Sequence, residues 1–185
     1  EAYDAAVRHV QAGELDQVDG VFDTVYFASL VRIAQGSADA FIKRYVTAII
    51  DLYNLKGKLR AVSHPSVRFT PVFISGGSFA ESEIDSKEQV FQAFGNLRTG
   101  DYWRAALEFF QETGNTSLID ARADEYMVDM AKQASFDMFS SASLVLYYLQ
   151  CRQAAANIRT IVVGRNSGQS EQAIRANLRL AYVND

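Results

Sequence analysis

Prolines are scarce in this chain: two in 185 residues, Pro65 and Pro71, close together in one short stretch. Because proline breaks helix interiors and the middle of sheets, the remainder of the chain is free to run as helix. Cysteine occurs once, at Cys151. One cysteine excludes an internal disulfide framework and points to a reducing compartment. The two histidines, His9 and His64, stand apart and offer neither a metal site nor a catalytic pair. Long apolar runs are missing too. The best one, Leu144 to Leu149, falls far short of the ~20 residues a membrane helix needs. No basic segment leads into an apolar stretch at the start, so no signal peptide is read there. The chain opens with Glu1 rather than Met, which suggests a fragment or a processed start. Bases do not exceed acids (18 against 22, net charge −4), which argues against a nucleic-acid-binding surface.

What is present is a duplication. Val18-Asp19-x3-Asp23 returns as Ile119-Asp120-x3-Asp124, and Asn54-Leu55-Lys56 returns as Asn157-Ile158-Arg159. Tyr3 to Val7 has a looser echo in Tyr102 to Leu107. Three landmarks in the same order define a helical unit of about 100 residues, used at least twice. With apolar residues at 49%, each copy has material for a core. The stretch from Ser63 to Ser78, holding both prolines and Gly76-Gly77, is the expected boundary, giving a first repeat over 1–68 and a second over 69–185.

Periodicity predicts all-α structure. Phe41, Tyr45, Ile49, Leu52, Leu55 and Leu59 form a stripe with core spacing, opened by Ser37 as N-cap. The matching helix runs through Leu144, Tyr148, Cys151, Ala155, Ile158 and Val162 and is expected to stop near Gly164. Cys151, on that apolar face, is expected to pack as a small hydrophobe. Shorter helices are expected over Tyr3 to Gln11, Asp19 to Ala34, Tyr102 to Gln111, Asp120 to Ala134 and Ser170 to Tyr182. Ser86-x-x-Gln89 has the form of a capping box. Val67 to Ile74 reads as extended linker.

Chemistry is harder to find. Asp19/Asp23 and Asp120/Asp124 sit one helical turn apart and could serve as metal ligands, but no Glu-x-x-His element accompanies them. Acids near a helix N-terminus also have a structural reason to be there. Gly164 to Gly168 lacks the Walker pattern and lies between helices. Asn54 and Asn157 stand mid-helix, where asparagine has poor propensity. With Asp23 and Asp124 they read as a structural lock repeated in each copy.

The pattern Asp51-x2-Asn54-Leu55-Lys56, its partner Asn157-Ile158-Arg159, the start Phe73-Ile74-Ser75-Gly76-Gly77 and the ending Gly168 to Arg175 together resemble one family. It is the C-subunit family of the V/A-type ATPase (ATP synthase) central stalk, whose eukaryotic counterpart is the d subunit. Ala154 stands where Asp51 would repeat, and Val163 where Arg60 would. The resemblance implies an all-helical, funnel-like socket on the cytoplasmic face of the membrane, peripheral to it and without a membrane span. Its partners would be the central-shaft subunits and the membrane rotor ring, with no nucleic acid, no cofactor, no metal and no catalysis. Within it Lys56, Lys58, Arg60 and Arg68, with His64 if protonated, form a basic stretch that could contact an acidic shaft or ring. The competing readings are a helical-repeat scaffold unrelated to rotary ATPases and a carboxylate metalloenzyme built on the paired aspartates.

Overall fold

A computed structural model describes residues 2–63 and 71–179. Among them are eight α-helices and no strand. They are α1 (Ala2–Ala12), α2 (Leu15–Gly36), α3 (Ala40–Ser63), α4 (Lys87–Leu97), α5 (Arg104–Thr113), α6 (Ser117–Ala134), α7 (Ala142–Asn166) and α8 (Glu171–Ala176), with a short 3-10 turn at Glu81–Glu83. The chain divides into two compact units, Glu1–Arg122 and Ala123–Asp185.

Local chemistry explains most helix ends. Ser86 caps α4 by accepting a hydrogen bond from the Gln89 backbone N–H, and the Gln89 side chain accepts in return from the Ser86 N–H. α3 opens differently from expectation. Its cap is Asp39, whose carboxylate accepts from the Phe41 N–H, while Ser37 holds the approach by accepting from the Asp39 N–H. α1 and α7 close on the same motif, at Gly13 and Gly168. After α7, Gly168 adopts φ +69°, its N–H donates to Arg165 C=O, and the Gln169 N–H reaches Gly164 C=O. Gly168 therefore ends α7, and Gly164 lies inside the helix. There a Cβ would collide with Ile174 of α8, so the glycine serves close packing rather than termination. The expected helix from Ser170 is short, six residues rather than thirteen; its forecast end at Tyr182 lies outside the described residues.

In the first unit, α2 and α3 pack around Phe27, Ala34, Val46 and Ile50, and the extended segment 71–74 closes this core with Ile74 and Val72. The rings of Phe27 and Tyr53 meet at 4.7 Å. α4 packs against α3, and Leu55 and Leu59 of α3 and Val90 and Phe94 of α4 are all buried. In the second unit α7 carries an apolar stripe alongside Arg152, Arg159 and Arg165, and buries only Ala142, Leu149, Gln153 and Gly164. Cys151 is exposed, contrary to expectation. Residue spacing identifies an apolar face and leaves open whether anything lies on it.

Candidate functional site

The most constrained chemistry in the first unit lies where α3 holds the segment after the proline stretch. Asn54 is buried and makes two hydrogen bonds with one residue, Ile74. Its Nδ2 donates to the Ile74 C=O at 2.8 Å, and the Ile74 N–H donates to its Oδ1 at 2.9 Å. The side-chain amide thus stands in for a strand partner, satisfying backbone groups that would otherwise be buried without one. One turn earlier on the same face, the Asp51 carboxylate accepts from the Ser78 N–H at 2.6 Å. Burial raises the Asp51 carboxyl above the ordinary aspartate range, opposed in part by that hydrogen bond from Ser78. Between the two anchors the chain turns through Gly76, at φ +105°, and passes Gly77 so close that a Cβ there would collide with the Asp51 carboxylate. The Gly-Gly pair is therefore required for different reasons at its two positions.

The second unit repeats the Asn geometry. Asn157 Nδ2 donates to the Arg179 C=O and the Arg179 N–H donates to Asn157 Oδ1, both at 2.8 Å. This clamp is half-buried rather than sealed. The aspartates stand beside the clamps rather than in them. Asp23 accepts from the Tyr53 hydroxyl at 2.6 Å, next door to Asn54. Burial and that carboxylate together push the Tyr53 phenol pKa upward. Asp124 pairs with the Arg179 guanidinium at 2.7 Å, on the residue that Asn157 holds. Ala154 replaces Asp51 in this copy, so no second anchor follows the clamp.

The basic stretch is engaged within the chain. Lys56 meets Asp120 at 3.0 Å and Arg60 approaches the same carboxylate at 3.7 Å. Lys58 lies between Glu81 at 3.5 Å and Asp85 at 3.3 Å. His64 and Arg68 lie outside the described residues. Asp23 accepts from the Tyr53 hydroxyl, on which the Asp19 charge also acts, while Asp120 faces Lys56 and Asp124 faces Arg179. Among the described residues no group of three or more His, Cys, Asp or Glu side chains is placed to hold a metal ion.

One cavity of about 260 Å3 in the second unit is lined by Arg152, Arg159 and Arg179 with Asp124, Gln153 and Ala155. Asp124 neutralises Arg179 there, while no acid of the described residues pairs with Arg152 or Arg159. Sequence patterns do not show this cluster, because Arg179 lies 20 residues beyond Arg159, on the segment that Asn157 holds.

An all-helical chain with two asparagine clamps suits comparison with known families. The model of the ATP synthase (C/AC39) subunit family matches residues 2–177. The chain belongs to that family. Among curated relatives, the A-type ATP synthase C subunit of Halobacterium salinarum is 27% identical over 173 residues, covering 87% of this chain and 49% of the relative; two strains give the same match. The protein of the same name from Haloferax volcanii is 24% identical over 180 residues, covering 92% of this chain and 51% of the relative. The chain thus spans about half the length of the curated C/AC39 relatives it matches. No solved structure matches it significantly. No helix among the described residues is long and apolar enough to cross a membrane.

Proposed function

We propose that this C/AC39 chain acts as a non-catalytic coupling part of a rotary V/A-type ATPase. It would form the socket through which the central shaft is joined to the membrane rotor ring, on the cytoplasmic face. The observation that carries this reading is the family match over 2–177, together with relatives named as the C subunit of A-type ATP synthase. A part that passes torque needs stiffness more than reactive groups. Asn54 and Asn157, braced by Asp23 and Asp124, would supply it by locking the segment that follows each long helix.

Lys56, Lys58, Arg60 and Arg68 remain the proposed contact for an acidic shaft or ring surface. Lys56 and Arg60 share a single carboxylate, Asp120, so their joint charge is only partly neutralised. A contact there would weaken as salt is raised. The direct experiment is co-purification of the chain with the shaft subunits and the detergent-solubilised ring from the same cell. Retention of both is expected. Retention of neither by a well-folded helical sample would leave a general helical scaffold.

A further inference from the structure

The two long helices are equivalent by their asparagines, and an offset of 103 residues carries Asn54 onto Asn157. The same offset carries Phe41, Ala48, Leu52, Leu55 and Leu59 of α3 onto Leu144, Cys151, Ala155, Ile158 and Val162 of α7. All five on α3 are buried. All five on α7 are exposed, Leu144 at 71%, Ile158 at 63% and Val162 at 51%. Tyr148 lies on the same stripe and is exposed as well, and the loop leading into α7 adds Phe136, Met138 and Phe139. Large contiguous exposed apolar patches are where interaction sites are looked for first.

The first unit offers a comparison. α4 packs against α3; the segment 81–97, a 3-10 turn and short loop leading into α4, has Val90, Ala93 and Phe94 buried. That segment carries Glu81, Glu83, Asp85 and Glu88 against Lys87, a net charge of −3, and two of its acids hold Lys58 of α3. α7 contains no acid and three arginines, Arg152, Arg159 and Arg165, a net charge of +3. Its arginine cavity opens beside the apolar stripe, since Ala155 belongs to both.

We propose that the Leu144–Val162 face of α7 docks an acid-flanked amphipathic helix of the α4 kind, with apolar residues at i, i+3 and i+4 seated on the stripe and a carboxylate reaching Arg152 and Arg159. Helix-on-helix docking of this sort is a recurrent recognition mode. The charge match sets orientation and the rate of encounter. This inference is independent of the coupling reading, because it follows from the second unit whatever machine the chain serves.

The test uses a fluorescently labelled peptide of residues 79–98 and the whole chain, followed by anisotropy. The peptide binds, binding weakens with salt, and Ile158→Asp and Arg159→Glu each weaken it by ~10-fold or more. Both side chains are exposed, so circular dichroism and thermal midpoint stay at wild-type values, which separates lost docking from lost folding. Three results would overturn the proposal. One is no binding by the folded chain. Another is binding indifferent to both substitutions, which would place the peptide elsewhere, for example in exchange with α4 on α3. The third is a chain dimer dispersed by Ile158→Asp, which would make a second copy the occupant.

Discussion

Asn54 and Asn157 make the same two hydrogen bonds to a backbone about 20 residues downstream, yet their surroundings differ. Around Asn54 the clamp is buried beside the core of α2 and α3, Asp51 adds a second anchor at Ser78, and α4 packs on the same helix. Around Asn157 the clamp stands half open, Ala154 supplies no anchor, and the stripe of α7 faces outward. A repeated local device therefore need not carry repeated stability. A hydrogen bond exchanged with water contributes little net, whereas a buried polar group stripped of its partner costs its full desolvation. Burial sets the energy of each clamp, and the coverage of the helix sets the burial.

The largest expected effect follows from breaking the sealed clamp. Asn54→Ala leaves the Ile74 N–H and C=O buried without partners. It should lower unfolding free energy by roughly 2–4 kcal/mol in denaturant titrations. Gly77→Ala comes next, at about 1–3 kcal/mol, because the new Cβ must push aside either the Asp51 carboxylate or the turn that meets it. Gly76→Ala would be strained for a separate reason, its positive φ. Asn157→Ala should cost only ~1 kcal/mol, since water can reach the groups it frees. Equal losses from Asn54→Ala and Asn157→Ala would erase the distinction between the two copies.

Asp51→Asn should have the smallest effect at neutral pH and the most informative pH dependence. The Asp51 pKa is raised in the folded state, so between the ordinary aspartate value and the raised one the folded chain holds more protons than the unfolded chain. The stability contributed by this residue therefore falls as pH rises through that window, and the charged form remains a burden above it. An asparagine still accepts from Ser78 but carries no charge. The stability difference, variant minus wild type, should shift in favour of Asp51→Asn as pH rises through that window. It should then level off, within ~1 kcal/mol overall. A difference that is flat with pH would mean that Asp51 is solvated rather than buried.

Much of the fold was legible in the chain. The stripe from Phe41 to Leu59, the Ser86/Gln89 capping box and the spacing of the two asparagines all depend on neighbours within a few residues, which is the range over which sequence patterns act. Other features depended on distant partners. The acids that engage Lys58 come from residues 81 and 85, and the one that engages Lys56 comes from residue 120. The role of Asp51 shows only once Ser78 is brought against it, although its position three residues before Asn54 on the same face was an available signal. The α7 stripe has the spacing of a core and lies on the surface, because a period of 3.6 reports that a helix has an apolar side and not what rests on it. Gly164 looked like a helix stop because close packing and termination call for the same residue.

Hydrogen exchange at two backbone amides, Ile74 and Arg179, tests the unequal clamps most directly. Each amide lies outside the helices and donates to a clamp asparagine. Both should be protected beyond ordinary loop amides, Ile74 more strongly than Arg179, and each should lose protection only when its own asparagine becomes alanine. Exchange of either amide at the rate of an unstructured chain, or protection of Ile74 that survives Asn54→Ala, would contradict the clamp as the element that holds these segments.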